Sequence, residues 1–162
     1  MRPPEQLPHE RYRFALTGRL AHRFEKVTAR ADERLYTDNW GLWASTTDAR
    51  VMWDVGERLV LWPHLRFHGQ SAGTFWKRAY TFVAGADGAP TLPMYRTGDR
   101  ELSCLYSITA GGGAKLRLWS AAASPWFLSL EADVATTHYP DALFITQRQS
   151  VFSAMTLDAQ WD

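Results

Sequence analysis

Strict alternation of apolar and polar residues is the feature that most constrains the fold of this chain. From Arg11 to Phe24, the even positions are mostly apolar, whereas the odd positions carry four arginines. A period of two puts successive side chains on opposite faces of a β-strand, and no convincing helical period competes with it. The segment predicts a strand of about fourteen residues, well beyond the usual length of about 5–6.

The same alternation returns several times, separated by turns that are short and polar or contain glycine. It predicts six further strands, at about 27–37, 42–54, 58–69, 102–118, 126–134 and 149–161. We therefore expect an all-β fold, an antiparallel up-and-down meander of about seven to eight long strands. Pro63 is expected to interrupt pairing in the fourth strand, and the glycines at 111–113 are expected to bend the fifth.

Length and composition set the broad class of protein. The chain has 162 residues, a formal net charge of +1, 46% hydrophobic residues and a single cysteine, Cys104. This size suits one domain over 1–162, with an extended N-terminal segment over 1–10. The near-neutral charge gives no support for a nucleic-acid partner, and the apolar content argues against disorder. One cysteine forms neither an intramolecular disulfide nor a cysteine zinc cluster, and we expect no cofactor and no metal site.

Strand length and charge distribution together favour a barrel in a membrane. A tilted strand of about 9–11 residues crosses a bilayer, and only closed barrels cross it with strands. The apolar faces are nearly free of charge, whereas the opposite faces carry both signs and are rich in arginine, which pairs well with carboxylates. We expect the carboxylates of the sixth strand, Glu131 and Asp133, to pair with cations of the fifth. The predicted lumen-lining residues are Arg13, Arg19, Arg23, Arg30, Asp32, Arg50, Arg66, Lys115, Arg117, Glu131, Asp133 and Asp158.

The tryptophans favour the same interpretation. Tryptophan is enriched where a barrel meets the two membrane surfaces, and the chain has eight, mostly near predicted strand ends. Short turns at 25–26, 55–57 and 119–125 would be periplasmic, and the connections at 38–41, 70–100 and 139–148 would be external. The predicted membrane-interface aromatics are Trp40, Trp43, Trp53, Trp62, Trp119, Trp126 and Trp161.

Four stretches carry a resemblance to a known family. They are RFALTGRLAHRF at 13–24, RLYTDNWG at 34–41, LWPHLRFHGQSA at 61–72 and the ending at 141–161. On these residues the chain resembles an uncharacterised family of bacterial proteins that are predicted to be outer-membrane barrels, a domain of unknown function. The resemblance implies an outer-membrane location and no known catalytic residue. Because members of that family are much longer, it also implies that this chain corresponds to a C-terminal portion.

The strand count favours an incomplete barrel. Single-chain bacterial barrels generally have an even number of strands, and seven are predicted here. The N-terminus also lacks a signal peptide. We expect the C-terminal part of a larger barrel, whose first strand pairs with missing N-terminal strands or with another copy. The competing count is a complete barrel of eight strands, in which a segment from Phe75 to Phe82 supplies the additional strand.

These features predict a passive outer-membrane pore or scaffold rather than an enzyme, with the lipid bilayer and the barrel-insertion machinery as partners. His64 and His68 share a face, but four residues along a strand span about 13 Å, too far for one metal ion. An outer-membrane lipase is the weakest alternative, because His138 and Ser129 differ in parity. The main alternative is a soluble β-barrel that binds an apolar ligand, since parity alone does not say which face points inward.

Overall fold

The computed structural model describes residues 4–81, 83–84, 90–121 and 124–159. Within them lie nine strands and one 3₁₀ helix, Arg100–Leu102. Two strands are only two residues long, β5 (Val83–Ala84) and β6 (Pro90–Thr91). The seven long strands are β1 (Arg13–Phe24), β2 (Val27–Asp38), β3 (Trp43–Val55), β4 (Leu59–Gln70), β7 (Leu105–Ala121), β8 (Ser124–His138) and β9 (Gln147–Ala159).

The seven long strands form one antiparallel sheet in the order β1-β2-β3-β4-β7-β8-β9. Every long strand pairs with the one that precedes it in the chain, which confirms the up-and-down meander. The competing count of eight, with an additional strand between Phe75 and Phe82, is not supported by the described residues 75–81, where only an isolated bridge joins Trp76 to Thr97. Within the described part of the chain, β1 and β9 each lack a partner on their outer side, so the sheet is open.

The predicted and observed strand boundaries differ most at β7 and at β8. Leu102, expected in the fifth long strand, belongs to the 3₁₀ helix, so β7 begins at Leu105. At the other strand, β8 continues to His138, beyond the predicted end at residue 134, because the polar residues there still pair with both neighbours. Alternation detects strands through their apolar residues, whereas backbone pairing continues without them.

The strand register keeps the alternation in phase across the whole sheet. Directly opposed residues share a face, and pairs such as Leu65 with Ala110 and Val134 with Val151 link apolar positions of neighbouring strands. One face is therefore apolar and the other carries the charges; we call them the apolar face and the charged face. Glu33 is the exception, since it lies on the apolar face.

The sheet curls, with the charged face on the inside of the curve. In a flat sheet, six steps of about 4.8 Å would separate β1 from β9 by about 29 Å. Nevertheless, one cavity of about 570 Å³ touches Thr17 of β1, Arg148 of β9 and charged-face residues of all five strands between them. The charged face is therefore concave and the apolar face convex.

Pro63 interrupts the pairing of β3 with β4 as expected. The register passes from Arg50 opposite His64 to Trp53 opposite Leu61, without pairs for the two residues of β3 in between. Proline has no backbone N–H, so Pro63 cannot donate a hydrogen bond to the neighbouring strand at this point.

The register of β7 runs through the glycines 111–113 unbroken, and its irregularity falls between Arg117 and Trp119. The glycines make room for neighbouring side chains, and the bend expected there stays a prediction. A Cβ at Gly111 would overlap the Asp133 carboxylate, and one at Gly113 would overlap the Trp62 ring.

Most of the buried residues of the described chain gather at one end of the sheet, although Asp48 is buried in the middle of β3. The long connections, at 39–42, 71–104 and 139–146, all lie at this end, which we call the loop end, as predicted from the sequence. Tyr139 is fully buried there, whereas apolar-face residues such as Val151 remain 78% exposed. Further buried residues at the loop end are Asp38, Trp40, Leu42, Thr97, Ser103 and Leu105.

Asp38 holds separate backbone segments together at the loop end. Its Oδ1 accepts hydrogen bonds from the backbone N–H groups of Trp40 and Leu42, both at 3.0 Å. Its Oδ2 accepts from the Tyr36 hydroxyl at 3.0 Å and from Arg11, whose Nη2 lies 2.6 Å away. One buried carboxylate thus ties the N-terminal segment to the connection between β2 and β3.

A methyl group at position 111 should destabilise the sheet, whereas the same change at Gly18 should not. A Cβ at Gly111 would lie 2.5 Å from the Ala132 carbonyl oxygen, while no atom lies within 4 Å of a Cβ at Gly18. We expect Gly111→Ala to lower the free energy of unfolding by about 1–3 kcal/mol, and Gly18→Ala to change it by less than about 0.5 kcal/mol. Urea titration of the folded protein, followed by tryptophan fluorescence, measures both. Equal stabilities would contradict this role of Gly111.

Candidate functional site on the charged face

The register brings the predicted lumen residues together on the charged face. Arg19 opposes Asp32, Arg30 opposes Arg50, and Arg66 opposes Asp48 on neighbouring strands. The predicted residues on β7, β8 and β9 lie on the same face, as shown by the pairs of Gly111 with Asp133 and of Phe127 with Asp158. The sequence therefore placed these side chains on one surface; that this surface lines a lumen stays a prediction.

Arginines of β1 and β2 converge on one carboxylate. Arg19 Nε lies 2.7 Å from Asp32 Oδ1, and Arg30 Nη2 lies 2.5 Å from Asp32 Oδ2. Towards the opposite end of β1, Arg23 Nη2 lies 2.5 Å from Asp54 Oδ2. The carboxylates Asp32 and Asp54 are therefore each compensated by arginine.

A second network centres on His64. Its Nε2 lies 2.8 Å from Asp133 Oδ1 and its Nδ1 lies 3.3 Å from Asp48 Oδ2, which Arg66 Nε also contacts at 3.1 Å. Asp133 belongs to β8 and His64 to β4, so this contact passes over β7. It is possible because the residue of β7 between them is Gly111, which has no side chain.

The expected pairing of Glu131 and Asp133 with cations of β7 is not found. Asp133 binds His64 instead, and no described residue forms an ion pair with Glu131. The cations of β7 lie against an aromatic ring: Lys115 Nζ is 4.4 Å and Arg117 Cζ is 5.6 Å from the centre of the Phe127 ring. Such cation–π contacts hold both cations on the charged face without a carboxylate.

Two predicted interface tryptophans do not face outward. Trp40 is buried at the loop end, where its Nε1–H donates to the Glu10 carbonyl at 3.0 Å and Arg11 lies over its ring. Trp62 lies on the charged face, because it opposes Gly113 in the register. An interfacial residue has to face lipid, so neither position fits that prediction.

Three other predicted interface tryptophans lie on the apolar face. Trp43 is at its loop end and 66% exposed, and Trp53 is towards the opposite end and 50% exposed. Trp126 opposes Ala159 on the same face, near the end of the short turns. Trp119 pairs with Trp126 through the backbone, and its side chain lies outside the described part of the structure, as does the whole of Trp161.

The connection between β4 and β7 folds over the charged face at the loop end. Gln70 Nε2 donates to the backbone carbonyl of Glu101 at 2.8 Å. The Glu101 carboxylate accepts from Arg148 Nη1 of β9 and from the Tyr139 hydroxyl, both at 2.9 Å. Burial, and then the hydrogen bond to Glu101, raise the pKa of Tyr139. The 3₁₀ helix is thus fixed to the central strand β4 and to the edge strand β9.

Several residues of this surface were absent from the predicted set. Arg34, His64 and His68 have the parity of the charged face, so alternation could have selected them. Arg148 precedes the predicted start of its strand, and Glu101 belongs to a connection without periodicity. Only the three-dimensional structure brings those two together.

The fold and its concave charged surface define a class of protein, the all-β proteins built on a curled antiparallel meander. A family model described as a protein of unknown function, DUF3570, matches residues 2–123, about three quarters of the chain. The chain belongs to this family. The match covers β1 to β7, and the ending at 141–161, which also carried the expected resemblance, lies beyond it. No curated protein and no solved structure matches the chain.

Two further features, a membrane-spanning helix and a metal-binding cluster, are absent from the described residues. None of their helices is long and apolar enough to span a membrane. No three of their histidine, cysteine, aspartate and glutamate side chains are grouped so that they could hold a metal ion.

Replacing Glu101 by glutamine should loosen the connection over the charged face. The amide keeps the shape of the carboxylate but loses the charge that attracts Arg148, on a site that is partly exposed. We expect local opening of 71–104 to become easier by about 1 kcal/mol, which corresponds to roughly fivefold faster proteolysis. Limited proteolysis of the folded protein measures this. Glu57→Gln, in an exposed turn at the opposite end, is the control, and equal rates for both variants would show that Glu101 does not hold this connection.

Proposed function

We propose that this chain forms part of the wall of a bacterial outer-membrane β-barrel, with the charged face lining the lumen and the apolar face against lipid. The barrel acts as a passive pore or scaffold, without catalysis. The observation that carries the proposal is the exposed, convex apolar face, on which Leu20 is 74%, Met155 is 75% and Val151 is 78% exposed. Soluble monomers rarely expose contiguous apolar patches larger than a few hundred Å², so this face needs a covering, and a bilayer supplies one of matching chemistry.

The distribution of charge supports lipid as the covering. Glu33 is the only aspartate, glutamate, lysine or arginine that the described long strands place on the apolar face. Its carboxylate accepts hydrogen bonds from the hydroxyls of Ser45 at 2.6 Å and Thr47 at 2.5 Å. Charged residues on the lipid face cost most near the middle of the membrane, aspartate and glutamate less than arginine and lysine. A single glutamate whose carboxylate is hydrogen-bonded to neighbouring hydroxyls is therefore compatible with a lipid-facing surface.

The open edges support a larger barrel. An unpaired strand edge in hydrocarbon leaves backbone groups without partners, which a membrane does not tolerate. Closure therefore requires strands beside β1 and β9 beyond those described, and we propose that strands N-terminal to β1, or another copy of the chain, provide them. Assembly of such a barrel implies the barrel-insertion machinery as a partner.

The alternative of a soluble barrel around an apolar ligand finds less support. It requires the apolar face to surround the ligand, whereas the cavity that reaches all seven long strands lies over the charged face. We therefore advance the membrane barrel alone.

Two adjacent residues of β8 test this orientation directly. Val134 lies on the apolar face and Ala135 on the charged face, both between the middle of the strand and its loop end. Val134→Arg should cost up to about 4 kcal/mol in a bilayer and prevent assembly, whereas Ala135→Arg should be tolerated. The readouts are the amount of protein in outer-membrane fractions, its apparent mass, and the change of gel mobility on heating. We expect an outer-membrane band well above 18.5 kDa for the native chain and for Ala135→Arg only.

A soluble native protein would overturn the membrane assignment. An outer-membrane band at 18.5 kDa would exclude a longer chain and leave closure to further copies. If Val134→Arg assembled as well as Ala135→Arg, the apolar face would not be the lipid face.

A further inference from the structure

One row of residues crosses the charged face without a single carboxylate. Its seven members are direct cross-strand partners from β1 to β9, and all of them border the 570 Å³ cavity. We call this set the donor row. It consists of Thr17, Arg34, Thr46, His68, Ser107, Thr137 and Arg148.

Each side chain of the donor row can donate a hydrogen bond to an anion. Four members carry hydroxyls, two carry guanidinium groups, and the imidazole of His68 carries one N–H when neutral. Some of this capacity is used internally, since the hydroxyl of Thr46 lies 2.8 Å from His68 Nδ1 and that of Thr137 donates to Ser107 at 3.2 Å. These contacts fix the orientation of the row and leave other donors directed to the cavity.

The carboxylates nearest to the donor row already have cationic partners. Asp32 is bound by two arginines, Asp48 by Arg66, and Glu101 by Arg148. Arg34 has neither an ion pair nor a side-chain hydrogen bond within the described part of the chain. It borders both this cavity and the neighbouring one under the 3₁₀ helix. The row therefore has an uncompensated positive charge at Arg34.

We propose that the donor row binds an oxyanion of the phosphate or carboxylate class, with Arg34 as its principal charged contact. The inference rests on the proposed function, because it makes the charged face the lumen of a pore and gives that lumen a preference for anions. A guanidinium presents a planar fork of N–H groups that matches two oxygens of a phosphate or carboxylate, and neighbouring hydroxyls supply further donors.

Binding can be measured without a closed pore. The full chain, folded in detergent, is titrated with inorganic phosphate and separately with citrate, with sodium chloride held constant, and heat is recorded by calorimetry. We expect saturable binding of at least one of the two, which Arg34→Gln weakens by about ten- to a hundredfold, as for the loss of a charged hydrogen-bond partner. The comparison of the two anions shows which oxyanion class the row prefers.

Arg117→Gln is the matched control. It removes the same charge from the same face, near the far end of β7 and away from the donor row, and should leave binding within about twofold if the contact is local. Equal losses in both variants, or no saturable binding of phosphate and citrate by the native chain, would overturn the inference. If Arg34→Gln does not fold, Thr17→Val tests the row instead and should weaken binding several-fold. Fractionation of cells is independent of these titrations, so a failure of the oxyanion site is distinguishable from a failure of the membrane assignment.

Discussion

The in-phase register of the seven long strands is the constraint on which the rest of the structure depends. Side chains alternate between faces with a period of two, so a slip of one residue at any strand pair would move a whole strand's charges onto the apolar face. The pairing instead carries the apolar parity of β1 without a break to β9. One surface thereby becomes continuous and apolar, and the other collects nearly all of the charge.

Charge pairing and side-chain size then determine which residues contact one another on the concave surface. Like charges stand directly opposite each other at Arg30 with Arg50 and at Asp32 with Asp48, an arrangement that is unfavourable by itself. Arginines of the flanking strands compensate the carboxylates, and the gap above Gly111 lets His64 reach Asp133 two strands away. The glycines of β7 thus act by providing space. At the loop end, Asp38 and Glu101 fix the irregular segments to this surface.

Alternation predicted the seven long strands, the faces of their side chains and the difference in length between the connections at the two ends. These features depend on local period and on turn residues, which a sequence displays directly. Alternation did not predict that Asp133 pairs with His64, that Trp40 is buried, or that Arg148 contacts Glu101. Those contacts depend on which strands are neighbours, how the sheet curls and where a connection without periodicity folds. Nor could parity decide which face is concave, since both directions of curvature preserve the same alternation.

The orientation of the two faces is the central claim, and spin-label accessibility along β8 tests it most directly. Single cysteines at positions 130 to 135, in a Cys104→Ser background, carry a nitroxide in protein assembled in lipid vesicles. Relaxation by oxygen, which concentrates in lipid, and by a water-soluble nickel chelate is then compared at each position. We expect a period of two, with oxygen dominant at the even positions, including Val134, and the nickel chelate dominant at the odd ones. The opposite phase, or nickel access at every position, would contradict it.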